Sequence, residues 1–474
     1  MRLAWFTPLS PRLSGLAAYS AGIVAELARG SDLEIDVYVG DGDPAQLGPR
    51  LGSGVAVRAA HDFVWRRQRR PYDLAVYQLA NAASHAYMMG YVVRYPGLAV
   101  LHDTVLHDAR RAPGGPEPNP GGYRAELRYE RPELHDGVGG ISGLPVPHLL
   151  AAWPLLRPIL ETARRTAVHD GGVADELRRR HPGCRIDVLR FGVAGPDEES
   201  RPEPRGPIVF AAVAHTARVG GIERTLRALR RVRRETPAAL RILGAVEEAA
   251  RAAADVRAAG VEAGAVTLPA AEPAGDVSSP DSLAGADACV ALQDRPGEVT
   301  DSWLRCLAAA RPTIVSARAR LAGVPMLDPR SWRDLHGGSE GAVAVGIEPR
   351  HEEEMLWLAM RRLAVDGDLR RTLGARARSW WEARSARHAW MVEDYRRLLR
   401  DVTREPSGEV RSPPAHMRSD GMELARRIAD DCGLAGDPFG LGVRAAGRSA
   451  HDRSVPLTPA ERPQGSDPVA RGLR

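Results

Sequence analysis

Two periodicities take turns along this chain. Short apolar runs of strand length alternate with longer stretches whose apolar residues recur at helical spacing. In the first part, Arg2–Phe6, Leu33–Val39, Leu74–Gln78, Leu98–Leu101, Thr166–His169 and Ile186–Phe191 read as strands. Gly15–Arg29, Asn81–Arg94, Leu149–Arg165 and Val173–Arg180 read as helices between them. Such alternation predicts an α/β domain with a parallel sheet. A second alternation has strands at Ile208–Ala214, Ala239–Leu243, Val266–Leu268 and Ala288–Leu292, with another beginning at Thr313–Val315. Its helices are Ile222–Arg233, Glu247–Ala259, Trp303–Ala310 and Glu352–Asp366. The expected architecture is two doubly wound sheets facing a cleft, where ligands commonly bind.

Breaks in the pattern divide the chain. Ala194–Pro207, AGPDEESRPEPRGP, is a charged, Pro-rich linker. The expected units are a first domain over 1–194, the linker over 195–207 and a second domain over 208–367. Two helical stretches follow over 368–400, where Trp380, Trp381, Trp390, Met391 and Tyr395 supply large apolar surface for packing onto the body. Over 401–474 Pro, Gly, Ser and mixed charges dominate, so this tail reads as mostly disordered, with one helical segment at Gly421–Asp431.

Composition narrows the picture. At 474 residues the chain exceeds one ordinary core. All 65 of its basic residues are arginine, which with abundant Ala, Gly and Pro points to a GC-rich bacterial genome rather than to a nucleic-acid partner. Basic clusters such as Arg224–Glu235 carry acids beside them, so no nucleic-acid interface is expected. No apolar run spans a bilayer and the N-terminus lacks a signal-peptide pattern, so a cytoplasmic location is expected. Peripheral contact with a membrane surface stays open. The four cysteines form no CxxC pair, and the histidines no HxxxH pair, so no metal is expected. Two Asp-Gly-Asp triplets, Asp41–Asp43 and Asp366–Asp368, sit in connections and read as turns.

Three segments carry the candidate chemistry. The loop after the first strand, TPLSPRLSG, has neither G-x-G-x-x-G nor a P-loop ending. It has one glycine, Gly15, at the helix start, where a ligand can approach the backbone closely. Leu98–Leu101 ends directly at His102-Asp103, and a neutral imidazole there could donate or accept. His169-Asp170 follows another strand, where Asp170 could face the cleft or cap a helix. Gly285–Pro329 reads strand, loop, helix, strand, with Thr300, Asp301 and Ser302 as N-cap candidates. Free N–H groups at such a start hold anions, so a phosphate-bearing ligand is expected near Glu298–Ser302.

In combination, YQLANAASHAYMMGYVVRYPGLAVLHDTVLHD, the SG loop, WLRCLAAARPT and the WWEARS…M…DY ending resemble the two-domain GT-B glycosyltransferases. More narrowly, the chain is similar to the retaining glycosyltransferase group 1, the family 4-like enzymes. The resemblance spans about residues 1–400. It implies two Rossmann-like domains, a C-terminal helix crossing back to the first, and hexosyltransferase-like transfer from a nucleoside diphosphate sugar to a hydroxyl acceptor. Transfer would retain configuration and need no metal or cofactor beyond the donor. The resemblance assigns catalytic roles to His102 and Glu298. It gives donor contacts to Gly15, Arg218, Arg224, Thr300, Asp301 and Ser302, and acceptor contacts to Asn81, His85 and His107. Two departures stand out. The second Glu of the donor motif is absent, its place falling on Cys306 or Arg305, and Gly220-Gly221 occupies part of the expected phosphate-neutralising pair. These departures keep open the reading of a non-catalytic GT-B partner subunit. A nucleotide-sugar epimerase of the same architecture is a third reading, but it needs paired acids in the cleft that the sequence does not supply.

Overall fold

The computed structural model describes residues 1–9, 15–29, 32–47, 51, 54–110, 120–132, 153–193, 206–213, 220–243, 254–268, 283–292, 302–317, 324–335, 341–383, 388–405 and 413–418. The first seven strands are β1 (Arg2–Phe6), β2 (Glu34–Val39), β3 (Val55–Ala59), β4 (Leu74–Leu79), β5 (Leu98–Leu101), β6 (Arg165–Val168) and β7 (Ile186–Val188). They form one parallel sheet in the order β3-β2-β1-β4-β5-β6-β7. The second seven are β8 (Ile208–Val213), β9 (Ala238–Leu243), β10 (Val266–Thr267), β11 (Ala288–Ala291), β12 (Thr313–Ser316), β13 (Met326–Leu327) and β14 (Ala344–Ile347). Their sheet, also parallel, has the order β10-β9-β8-β11-β12-β14-β13. The expected α/β class with two doubly wound sheets is what the chain adopts.

The apolar runs explain the topology. LAVYQL of β4 and LAVL of β5 are buried along their whole length, as strands covered on both faces must be. Strand order runs outward one way from β1 and the other way from β4, and likewise from β8 and β11, which makes a switch point in each sheet.

The helices described next are α1 (Gly15–Ala28), α2 (Phe63–Arg69), α3 (Met88–Arg94), α4 (Pro120–Glu130), α5 (Arg157–Thr162), α6 (Gly171–Arg180), α7 (Gly220–Val232), α8 (Ser302–Ala308), α9 (Glu352–Val365), α10 (Gly367–Ala383), α11 (His388–Arg404) and α12 (Ala415–Arg418). One core lies on each face of the first sheet. On one face Leu3, Trp5, Val37, Val76 and Val100 pack with Ile23 and Leu27 of α1 and with Met391, Tyr395, Leu398 and Val402 of α11. The last long helix therefore returns from the second sheet to complete the core of the first. Arg190 clamps it from β7's end, its guanidinium 2.6 and 2.7 Å from the Asp394 carboxylate.

Several elements differ from the sequence reading. VAVRA of β3 pairs at the sheet edge with β2, and its alternation is too short to stand out. The helix expected over Asn81–Arg94 begins only at Met88, after a 3₁₀ turn at Ala83–His85. Pro158 sits in the first turn of α5, which starts at Arg157 instead of Leu149. α2, α4, β13 and β14 were not foreseen. The segments Glu247–Ala253 and Gly421–Asp431 lie outside the described residues.

Candidate functional site

The carboxyl ends of β1, β4, β5 and β6 converge beside the switch point of the first sheet. Register does the positioning. Leu101 of β5 pairs with Val168 of β6, so the next residues, His102 and His169, emerge side by side with ring centroids 4.9 Å apart. Val100 pairs with Gln78 of β4, which places the Gln78 amide beside the His102 ring. His102 Nε2 lies 2.7 Å from Gln78 Oε1. Tyr19, on the first turns of α1, meets His102 edge-on at 4.9 Å. Phe191 stacks flat on Tyr19 at 5.5 Å and meets the edge of His169.

A buried string of polar groups joins these side chains to α11. Gln78 Nε2 is 3.2 Å from the Tyr395 hydroxyl, which is 2.9 Å from the Tyr19 hydroxyl. The Tyr19 hydroxyl is 3.5 Å from His169 Nε2, and His169 Nδ1 lies 3.0 Å from the Leu189 carbonyl oxygen. Burial sets the protonation of the group. It pushes His102 well below its ordinary value, with the neighbouring His169 and His85 adding to the effect. His85 and His169 are pushed down to about 4 by burial. All three rings are neutral at physiological pH. Tyr395 is pushed up by burial and keeps its proton.

The loop beyond β5 is built on Asn81. Its Oδ1 accepts from the Asp108 N–H at 2.6 Å, and its own N–H donates to Asp103 Oδ2 at 2.6 Å. His107 is buried, with Nδ1 2.6 Å from the Tyr123 hydroxyl and Nε2 facing the Trp153 carbonyl. His85 Nδ1 lies 2.9 Å from the Gln78 carbonyl oxygen, beneath the end of β4. The structure thus brings Asn81, His85, His102 and His107 to one end of the sheet. Asn81, His85 and His107 turn polar atoms onto backbone and side-chain groups of the protein that shape this end. Asp170 caps α6, accepting from the Val173 N–H at 2.8 Å.

In the second sheet, α7 begins at Gly220 and carries Arg224, whose guanidinium lies 3.3 Å from Glu352 of α9. Ser302 is buried at the first position of α8. Gly15 is the first residue of α1. Arg218, Glu298, Thr300 and Asp301 lie outside the described residues. Asp366 caps α10 through the Leu369 N–H at 2.9 Å and pairs with Arg362, so this triplet forms a helix start. Among the described residues no group of three or more His, Cys, Asp or Glu comes together as a metal site would require, and no helix is long and apolar enough to cross a membrane.

Sequence reasoning missed Gln78, Tyr19 and Tyr395. The signal was present for one of them: a glutamine inside an apolar strand must find partners when buried. Tyr395 read only as apolar bulk, because nothing in the linear order ties it to β4.

Two parallel sheets of this order, joined by a helix that returns to the first, decide the architecture. The fold is GT-B. No protein-family profile and no curated protein matches the sequence. Solved structures do match over most of the chain. A glycosyltransferase from Rickettsia africae superposes with a TM-score of 0.57 at 10% identity, covering 85% of this chain and 99% of that one. Sucrose-phosphate synthase from Thermosynechococcus elongatus gives 0.54 at 15%, covering 85% and 98%. Anabaena HepE, in complex with UDP and glucose, gives 0.55 at 12%, covering 85% and 100%. At such identities the GT-B likeness concerns the backbone. The side chains at the strand ends have to be read from this chain itself.

Proposed function

We propose that the chain is a hexosyltransferase-like glycosyltransferase that moves a sugar from a nucleoside diphosphate sugar to a hydroxyl acceptor, with retention and without a metal. The observation that carries the reading is His102. It stands at the carboxyl end of β5 beside the switch point, neutral, with Nε2 engaged by Gln78. A neutral ring held by one nitrogen can offer the other to a sugar hydroxyl. The fold supports it, since the GT-B structures it superposes on include one solved with UDP and glucose.

In this reading the donor lies between the two sheets. Glu298 bonds sugar hydroxyls, and Thr300, Asp301 and Ser302 offer backbone N–H groups to the diphosphate. Arg218 supplies positive charge to the leaving phosphates. Gly15 lets the donor approach the start of α1, and the loop built on Asn81, His85 and His107 shapes the acceptor side. Arg224 contributes less than the sequence suggested, because its charge is already met by Glu352. The site is read as lying in the cytoplasm, where nucleotide sugars are made.

Calorimetric titration with UDP, GDP and their sugars tests the proposal. Binding of one nucleotide and its sugar at micromolar to millimolar concentration is expected. No heat from any of them at millimolar concentration overturns it. Binding without transfer to any hydroxyl acceptor would leave a donor-binding module without turnover.

A further inference from the structure

The string of buried polar groups that ends on His102 has a direction, and the direction can be worked out one group at a time. His169 Nδ1 faces a backbone carbonyl, that of Leu189, at 3.0 Å, and a carbonyl can only accept. Nδ1 therefore carries the hydrogen. His169 is neutral, so its Nε2 is bare and accepts from the Tyr19 hydroxyl at 3.5 Å. With its proton directed at His169, the Tyr19 oxygen accepts from the Tyr395 hydroxyl at 2.9 Å. The Tyr395 hydroxyl also lies 3.4 Å from Gln78 Oε1, but its one proton is directed at Tyr19, so its oxygen accepts from the nearer Gln78 Nε2 at 3.2 Å. That bond fixes the Gln78 amide with its carbonyl oxygen toward His102, 2.7 Å from Nε2. His102 must then donate from Nε2, and its Nδ1 is bare.

We propose that Tyr395, carried on the returning helix α11, acts through Gln78 to hold His102 as the Nε2–H tautomer, presenting Nδ1 as an acceptor for a sugar hydroxyl. Tyr395 and Gln78 are positioning residues. Neither meets the substrate, and the effect of each runs through the imidazole. The role in sugar recognition rests on the glycosyltransferase reading above; the tautomer assignment does not.

The arrangement has a physical cost that argues for its use. Gln78 is fully buried inside an otherwise apolar strand, and Tyr395 is fully buried among Trp5 and the aliphatic core. Leucine and phenylalanine would fill the same space without polar atoms to satisfy. The amide and the phenol instead point at each other and, through the amide oxygen, at one ring nitrogen. His102 itself makes no other side-chain hydrogen bond among the described residues, so its remaining nitrogen is not committed to the fold. A second consequence concerns the whole chain. The tautomer depends on α11 being docked, because Tyr395 belongs to the segment that follows the second sheet. Seating of that helix and readiness of His102 are thus one event.

The test is nitrogen NMR of the full chain labelled with ¹⁵N-histidine, with the His102 signals assigned by their loss in His102→Gln. The wild type is expected to show a protonated Nε2 and an unprotonated Nδ1 at pH 7. Tyr395→Phe keeps the ring packing against Trp5 and removes the oxygen. Its Gln78 amide is then free to turn its nitrogen toward the imidazole, and the tautomer ratio is expected to fall about tenfold. Adding Gln78→Glu to Tyr395→Phe restores the ratio, since a carboxylate can only accept. Near-ultraviolet circular dichroism confirms that each variant is folded. A protonated Nδ1 in the wild type overturns the proposal without any variant, and so does an unchanged ratio in folded Tyr395→Phe. Titration of the same samples with UDP and GDP separates the two claims. Absence of nucleotide binding overturns the sugar-recognition role while the tautomer is read independently. Binding and turnover with the wrong tautomer overturn the positioning role alone.

Discussion

His85 shows how much a single buried ring constrains this protein. It is almost fully buried under the end of β4, and burial pushes it from 6.5 down to about 4. The unfolded chain takes up a proton near pH 6.5, whereas the folded one does not until about pH 4. Stability from this site is therefore complete above the unfolded value and declines as pH falls across that window. The wild type should lose about 2–3 kcal/mol from this one group between pH 7 and pH 4.5. Urea unfolding at both pH values checks it: in His85→Asn, which cannot titrate, the difference between the two should shrink by that amount. An equal pH dependence in both proteins would show that His85 is neutral in neither state's favour. Burial acts in the same direction on His102 and His169, so the cluster is uncharged at neutral pH.

At the scale of elements, close approaches decide which helix lies where. Gly374 of α10 faces the carbonyl of Ala310, and a Cβ there would stand 2.3 Å from that oxygen. Ala310 itself has a positive φ of 54°, as the chain turns out of α8 toward β12. Gly374→Ala must push α10 off the end of α8. The expected cost is about 1–3 kcal/mol, seen as a lower urea midpoint with unchanged slope. An unchanged midpoint would mean that α10 shifts freely. The sequence announced α10 through its helical stretch and its tryptophans, but nothing in the linear order gives its glycine a role. Only the neighbouring carbonyl explains it. The strands at β4 and β5 were legible because both faces are buried and the runs stay apolar. β3 and β13 were not, since a short edge strand needs few apolar residues and borrows its shape from a neighbour.

Over the whole molecule, α11 is the piece that turns two sheets into one unit. Asp394 is buried on it and receives Arg190 through two contacts and Arg397 at 2.8 Å. Burial alone would raise the Asp394 carboxyl, but the hydrogen bonds and charge of Arg190 hold it below its ordinary value. Asp394→Asn keeps the shape and removes the charge, so it should cost about 2 kcal/mol. If the helix also carries the positioning of His102, this variant should raise the rate of hydrogen exchange along α11 and blur the His102 tautomer together. Loss of stability with both of those unchanged would separate the anchor from the site.

The linear pattern by itself determined the class of fold, the succession of strands and helices, and the strand end that carries His102. Each depends on neighbours in sequence: apolar runs make buried strands, helical spacing makes amphipathic faces, and a polar residue directly after a strand lies at a sheet's end. Tertiary structure alone decided what surrounds that histidine. Strand register set His169 beside it, and the sheet order set Gln78 against it. The returning helix brought Tyr395 across more than three hundred residues to complete the string. A hydrogen bond's direction depends on every partner in its chain, and those partners share a place in space without sharing one in the sequence.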